Sequence, residues 1–327
     1  MHRTLLAAAL ALPAFFALPA AAQTRWDMAT AYSDSEFQTK NVRQFTEEVK
    51  RNSGGKLDIT VHSAQSLIKN PEIKRSIQTG LVQAGEFFLS NLGPENPLYE
   101  IDAIPFLASS YPEAKALWEV SKAPISALFQ KQGLRLLYSV PWPSQAFFTK
   151  EPVKSLADIK GRKMRTYNAQ TARLGTLMGV IPTTVQATEI PQAFSTGIID
   201  LMFTAASTGV ITRAWEYTRY FYDTGAWVPK NVVVVNEAAF RKLPADAQKA
   251  MTDAAAAAEK RGWEWSQQQN DEMPKILARN GLKIEPITPH FRAELRRIGE
   301  TMLNDWLEKA RDDGRKVVAE YRKRVPQ

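Results

Sequence analysis

Hydrophobic positions recur along this chain in two rhythms. Leu57, Ile59 and Val61 alternate with polar neighbours at the period of a strand. Phe37, Val42, Phe45 and Val49 instead share one helical face, with Ser35 as the expected cap. Between these segments, Gly54-Gly55 breaks the chain. The same alternation continues. Trp26–Ala31 and Ala84–Phe88 read as strands, residues 72–79 as a helix stopped at Gly80, and residues 111–130 as a helix ending near Gly133. Leu134–Val140 is a further strand, and Pro141-Trp142-Pro143 is a rigid punctuation suited to a crossing between lobes.

A second series follows. Strands are expected at 145–149, 162–167 and 198–203, and helices at 171–178 and 190–195. Val232–Val235 is an uninterrupted valine run, the signature of a strand buried on both faces. From Pro244 to about Arg279 the pattern is helical, with Pro244 suited to a first turn and Ala254–Ala258 strongly helix-forming. At ~1.5 Å per residue such a helix spans about 50 Å, longer than one lobe is wide, so it is expected to run across two, with a kink at Pro274. A strand at 282–287 and helices over 291–324 close the chain. The fold class is therefore α/β, with helices covering sheets in two lobes.

Length supports two lobes, since 327 residues exceed one simple core. The N-terminus sets the compartment. His2 and Arg3 precede an apolar stretch from Leu5 to Leu18, and Ala20, Ala21 and Ala22 supply the small residues of a cleavage site. Residues 1–22 thus read as an export signal cleaved near Ala22, and the mature protein as periplasmic. No later apolar run has membrane-spanning length. The absence of cysteine excludes disulfides and thiolate chemistry. The formal charge of +8 is spread along the chain, and its densest run, Arg322-Lys323-Arg324, reads as a solvated helix end. For an exported protein this field suits an anionic small ligand better than nucleic acid.

Catalytic patterns are missing. There is no G-x-S-x-G elbow, no P-loop and no dinucleotide fingerprint, and His62 and His290 stand far apart. No histidine pair has metal-ligand spacing, so neither a metal nor another cofactor is expected.

Several segments, taken in order, carry a resemblance. They are Phe45–Val49 with Ser53–Val61, Ile77–Gln83, Ile104-Pro105-Phe106-Leu107, Leu156-Ala157-Asp158-Ile159-Lys160-Gly161-Arg162-Lys163-Met164-Arg165, Ala193–Asp200, and Val233–Asn236 with Phe240–Leu243. Together they resemble the DctP-type solute-binding subunits of tripartite ATP-independent periplasmic (TRAP) transporters, over nearly the whole mature chain. The resemblance implies a two-lobed periplasmic-binding-protein-like fold with a ligand cleft between the lobes. Lobe I would hold residues 23–142 and 230–275, and lobe II residues 143–229 and 276–327. It implies a small organic carboxylate as ligand, separate membrane subunits as partners, and a monomeric chain that is not an enzyme.

It also implies that Arg165, in the strand after Lys160-Gly161, binds the ligand. A guanidinium matches a carboxylate with two parallel hydrogen bonds. Where many relatives carry a second cation this chain has Gln145. A polar contact position is filled by Phe88, and Thr204 stands where relatives often use Asn. Trp142, Phe147, Trp215 and Tyr217 are candidates for an apolar wall, and Asn168 is a further polar candidate. One anion anchor beside aromatic walls points to a monocarboxylate with an aromatic or apolar body. A C4-dicarboxylate or 2-oxoacid binder of the same family is the alternative. A periplasmic enzyme and a sensory, ligand-presenting module on the same two-lobed fold also stay open.

Overall fold

Two mixed sheets organise the chain, each with inner strands buried on both faces and more exposed strands at its edges. The computed structural model describes residues 23–325, so the expected export signal lies outside the described residues. The chain begins with β1 (Thr24–Thr30), α1 (Phe37–Asn52), β2 (Leu57–His62), α2 (Ile73–Gln78), β3 (Ala84–Phe88), α3 (Tyr111–Lys131) and β4 (Leu134–Pro141). It continues through β5 (Gln145–Thr149), β6 (Lys163–Thr166), α4 (Ala169–Leu177), β7 (Ile181–Thr184), α5 (Ile190–Ser195), β8 (Leu201–Ala205), α6 (Ala206–Ile211) and β9 (Tyr220–Asp223). It closes with β10 (Lys230–Asn236), α7 (Glu237–Arg241), α8 (Ala245–Arg279), β11 (Lys283–Pro286) and α9 (Pro289–Arg324).

The first sheet has the order β2-β1-β3-β10-β4, the second β11-β9-β5-β8-β6-β7. The valine run becomes β10, antiparallel between β3 and β4, with all four valines buried. Val232 and Val234 feed a core under α2 and α3, while Val233 and Val235 feed the core under α1 and α8. The second sheet is likewise covered on both faces. The fold is therefore the expected two-lobed α/β arrangement.

Local sequence accounts for most element ends. Ser110 and Glu113 form a reciprocal capping box at the start of α3. The start of α1 departs from expectation: Glu36, not Ser35, takes the N-cap position, and the Ser35 hydroxyl pairs with that of Ser33 at 2.7 Å. Pro244 is the N-cap residue of α8, and the helix runs unbroken through Pro274. Among the described residues, no helix is long and apolar enough to cross a membrane.

The connections between the sheets position the site. The segment after β4 and the segment before β10 run side by side, joined by Trp142 N–H donating to the Pro229 carbonyl at 2.7 Å. The long helix α8 packs Ala247–Ala258 into the first lobe's core and Leu277 into the second's. Gly262 lets α8 lie close on β4, since a Cβ there would meet Val140 at 2.5 Å. The last helix also crosses. Phe291, Leu295, Ile298 and Met302 pack in the second lobe, whereas Trp306, Val317, Val318 and Tyr321 pack in the first. A non-helical residue, Arg311 (φ 52°, ψ −136°), interrupts it shortly after Trp306. We therefore propose a partition that moves the chain from about residue 304 onward from lobe II to lobe I.

Candidate functional site

The cavity between the lobes forms where strands end, because side chains leave the sheet there with backbone on only one side. Tyr32 follows β1, Asn91 follows β3, Tyr167 follows β6 and Gln186 follows β7, and all four line it. This is the crevice at the carboxyl ends of strands that α/β sheets use for ligands. The space open to the centres of water-sized guests is about 60 Å³. About 10–15 Å³ of such space holds one water, so the cavity suits a compact molecule.

Arg165 dominates its electrostatics. On β6, Met164 points into the second lobe's core and Arg165 to the opposite face, where it is 4% exposed. Its Nε donates to the Val185 carbonyl at 3.0 Å and its Nη1 to Thr204 Oγ1 at 3.3 Å. The guanidinium lies over the Tyr167 ring, 5.1 Å from its centroid. Burial pulls its pKa down to about 10, which leaves it a cation at neutral pH, and the groups that favour the charge are tyrosines 167, 32 and 217 rather than a carboxylate. Two bonds to neutral acceptors hold the fork in place, and the residue borders the cavity. Arg165 is the one charged residue among the described lining residues. A buried cation in this position calls for an anionic guest.

Of the other residues expected at the site, Phe88, Trp142, Gln145 and Thr204 border the cavity. Phe88 sets its edge against Tyr167 at 5.3 Å. Gln145 is more constrained than a substitute for a cation would be: its Nε2 donates to the Pro143 carbonyl at 3.1 Å and its Oε1 accepts from Tyr167 Oη at 3.2 Å. Three expected aromatics lie elsewhere. Phe147 is buried between Phe203 and Phe291, one strand repeat deeper than Gln145. Trp215 packs against the second lobe's other core, and Tyr217 stacks on Phe194 at 4.4 Å with its hydroxyl on Thr212. Asn168 caps α4 by accepting from Thr171 N–H, and its amide bridges the lobes by donating to Ser90 Oγ at 2.8 Å. Asn70 adds a second bridge, donating to Gln186 Oε1 at 3.1 Å.

Sequence reasoning missed Tyr32, Asn70, Asn91, Tyr167 and Gln186. Position was a legible signal only for Tyr32 and Asn91, which lie just past expected strands; Tyr167 is the last residue of one, and Asn70 and Gln186 stand in stretches with no expected element. Asn70 and Asn91 share a further property: each has a buried side-chain oxygen that no donor meets among the described residues.

Two carboxyls lie behind the wall. Glu86, on β3, accepts from Thr30 Oγ1 at 2.6 Å and from Asn231 Nδ2 at 3.1 Å, and burial raises its pKa to about 7. Burial first, then the Glu86 charge, raises Glu36 from 4.5 to about 8. Burial also raises Glu100 to about 7. These groups bind protons more tightly folded than unfolded, so between about 4.5 and 8 the native state is the better proton binder and stability falls as pH rises. Thermal unfolding at pH 5.5 is expected to have a higher midpoint than at pH 8. The variant Glu36→Gln/Glu86→Gln should show a shallower profile, keeping the shares due to Glu100 and Asp102. An equally steep profile in that variant would remove these two groups as the cause.

The profile of bacterial extracellular solute-binding protein family 7 (DctP) matches residues 28–310. Among solved structures, DctP7 of Bordetella pertussis, an extracytoplasmic solute receptor binding pyroglutamic acid, is 46% identical with a TM-score of 0.90, over 91% of this chain and 99% of its own. DctP6 of the same organism, also a receptor binding pyroglutamic acid, is 44% identical with a TM-score of 0.90, covering 92% and 100%. A TRAP solute-binding protein from a marine metagenome, specific for pyroglutamate, is 37% identical with a TM-score of 0.90, covering 92% and 99%.

Proposed function

The chain belongs to family 7 of the bacterial extracellular solute-binding proteins, the DctP family, and from that premise we propose that it captures pyroglutamate, or an acid of the same size and shape, for a TRAP transporter. As a TRAP solute receptor it is a binding protein, and the relatives it matches are receptors, not enzymes. Residues 1–22 are read as the signal that exports it to the periplasm.

The observation that carries the ligand reading is Arg165, buried without a carboxylate partner on a small cavity whose other described lining residues are neutral. Its fork takes the carboxylate of a monoacid by two N–H···O bonds. A second carboxylate would be desolvated with no second cation to offset it, which disfavours succinate. Pyroglutamate also carries a ring N–H, which fits the unmet oxygens of Asn70 and Asn91. Its small ring fits between Trp142, Tyr32 and Phe88. This reading keeps the monocarboxylate expected from sequence and replaces the aromatic or apolar body with a small polar ring. The cavity's size and its unmet acceptors favour that change. Three neighbours at 37–46% identity bind pyroglutamate, which supports it further.

A thermal-shift panel of L-pyroglutamate, L-proline, succinate and N-acetylneuraminate tests the reading. L-Pyroglutamate is expected to raise the unfolding midpoint most, because ligand bound only to the native state stabilises it. Proline presents a cationic ring nitrogen beside Arg165 and should shift it less than L-pyroglutamate. A larger shift with succinate would refute the assignment.

Ligand contacts drawn from both lobes favour a closed form. The paired segments at residues 141–143 and 227–230 are the expected hinge. Small-angle scattering should show a smaller radius of gyration with saturating L-pyroglutamate, and an unchanged radius would mean that the lobes are fixed.

A further inference from the structure

Asn231 stands behind the cavity, not in it. It is the second residue of β10, is 1% exposed and is absent from the cavity lining. Its amide nitrogen donates to Glu86 Oε1 at 3.1 Å, and Glu86 Oε2 accepts from Thr30 at 2.6 Å. Glu86 holds the amide this way in either protonation state. With a proton on Oε2, that oxygen donates to Thr30 and Oε1 still accepts from Asn231. The amide oxygen must therefore face the other way. There it accepts from Trp142 Nε1 at 2.9 Å and from Tyr32 Oη at 3.2 Å. The two rings meet edge to face at 5.0 Å, and both line the cavity. Trp142 is held on its far side by Phe37, with ring centroids 5.7 Å apart.

One amide oxygen thus receives the polar tips of two wall aromatics, and a buried carboxyl fixes which way that amide points. We propose that Asn231, oriented by Glu86, is a positioning residue for solute selectivity: it sets the angle between the Trp142 and Tyr32 rings and so the width left for the ring of a bound acid. An aromatic wall with a tethered tip is stiffer than one held by packing alone, because rotation of either ring breaks a buried hydrogen bond. The inference rests on this cavity being the solute site, and it does not require that the solute be pyroglutamate.

A reciprocal exchange tests it. Asn231→Asp sets two carboxyls against each other and is expected to weaken L-pyroglutamate binding by about tenfold or more. Glu86→Gln/Asn231→Asp restores one amide and one carboxylate, with the bond between them reversed and the bonds donated by Trp142, Tyr32 and Thr30 kept, and is expected to recover affinity to within about threefold of the parent. A residue needed only for folding would show the recovery in unfolding midpoint and not in the ratio of pyroglutamate to proline affinity. A second readout needs no solute. The indole N–H resonance of Trp142, identified by its loss in Trp142→Phe, should move and exchange faster in Asn231→Leu and hold its place in the double exchange. Failure of the parent to bind L-pyroglutamate would strike the proposed ligand alone, and the indole resonance then decides. An unmoved resonance in Asn231→Leu, or a folded double exchange without recovered affinity where the parent binds, overturns the proposal.

Discussion

Arg165→Ala is expected to abolish high-affinity binding while leaving the protein folded. Losing a buried charge-assisted pair in a closed cleft costs on the order of 2–5 kcal/mol, roughly 30-fold or more in affinity. Arg165→Lys should fail almost as badly, since an ammonium cannot reproduce the two-pronged fork or keep both the Val185 and Thr204 contacts. Stability without ligand should move the opposite way or not at all, because the native arginine is a buried cation with no carboxylate beside it. Fluorescence titration and thermal unfolding of the same preparations separate the two effects. Near-parental affinity in Arg165→Ala would remove this residue from the site.

The second large effect falls on folding. Lys230 and Asp102 form an ion pair at 3.4 Å with both side chains 1% exposed. Burial pushes the aspartate carboxyl up and the lysine ammonium down, each opposed by the other's charge. The pair is poorly aligned, for neither Asp102 oxygen receives a well-directed hydrogen bond among the described residues. Lys230→Met strands the carboxyl in the interior and is expected to cost about 3–5 kcal/mol of stability. Asp102→Leu/Lys230→Met removes both charges and is expected to return to near-parental stability or above it. Urea unfolding read by its midpoint checks both. A loss in Lys230→Met of under about 1 kcal/mol would mean that water or relaxation screens the pair.

Much of the scaffold was legible because its patterns are local. The valines of β10 and the alternation at Leu57, Ile59 and Val61 needed no partner to be read. What escaped were elements fixed by tertiary context. β7 begins with Ile181-Pro182 at a sheet edge, and Ile181 is 53% exposed, so neither hydrophobic alternation nor a proline-free run marks it. α9 covers the stretch read as closing helices; Asp313-Gly314 marks a break close to Arg311, but the sequence there does not tell that the chain changes core.

The site divides along the same line. Arg165 was legible through the family resemblance, which marks the strand after Lys160-Gly161, and the need of a buried arginine for an anion agrees with it. Phe147 shows the limit. It shares a strand face with Gln145, yet lies about 7 Å farther along, under α9 and not at the cavity. Tyr217 bears on the Arg165 charge, but its ring and that of Trp215 turn to a core. Tyr32, Asn70 and Asn91 come from loops that only folding brings to the strand ends.

Titration calorimetry of L-pyroglutamate into the purified protein, with succinate run beside it, bears most directly on the central claim. One site with a Kd of about 1 μM or tighter, and succinate weaker by about tenfold or more, is the predicted result. No binding heat for L-pyroglutamate, or succinate bound more tightly, would contradict it.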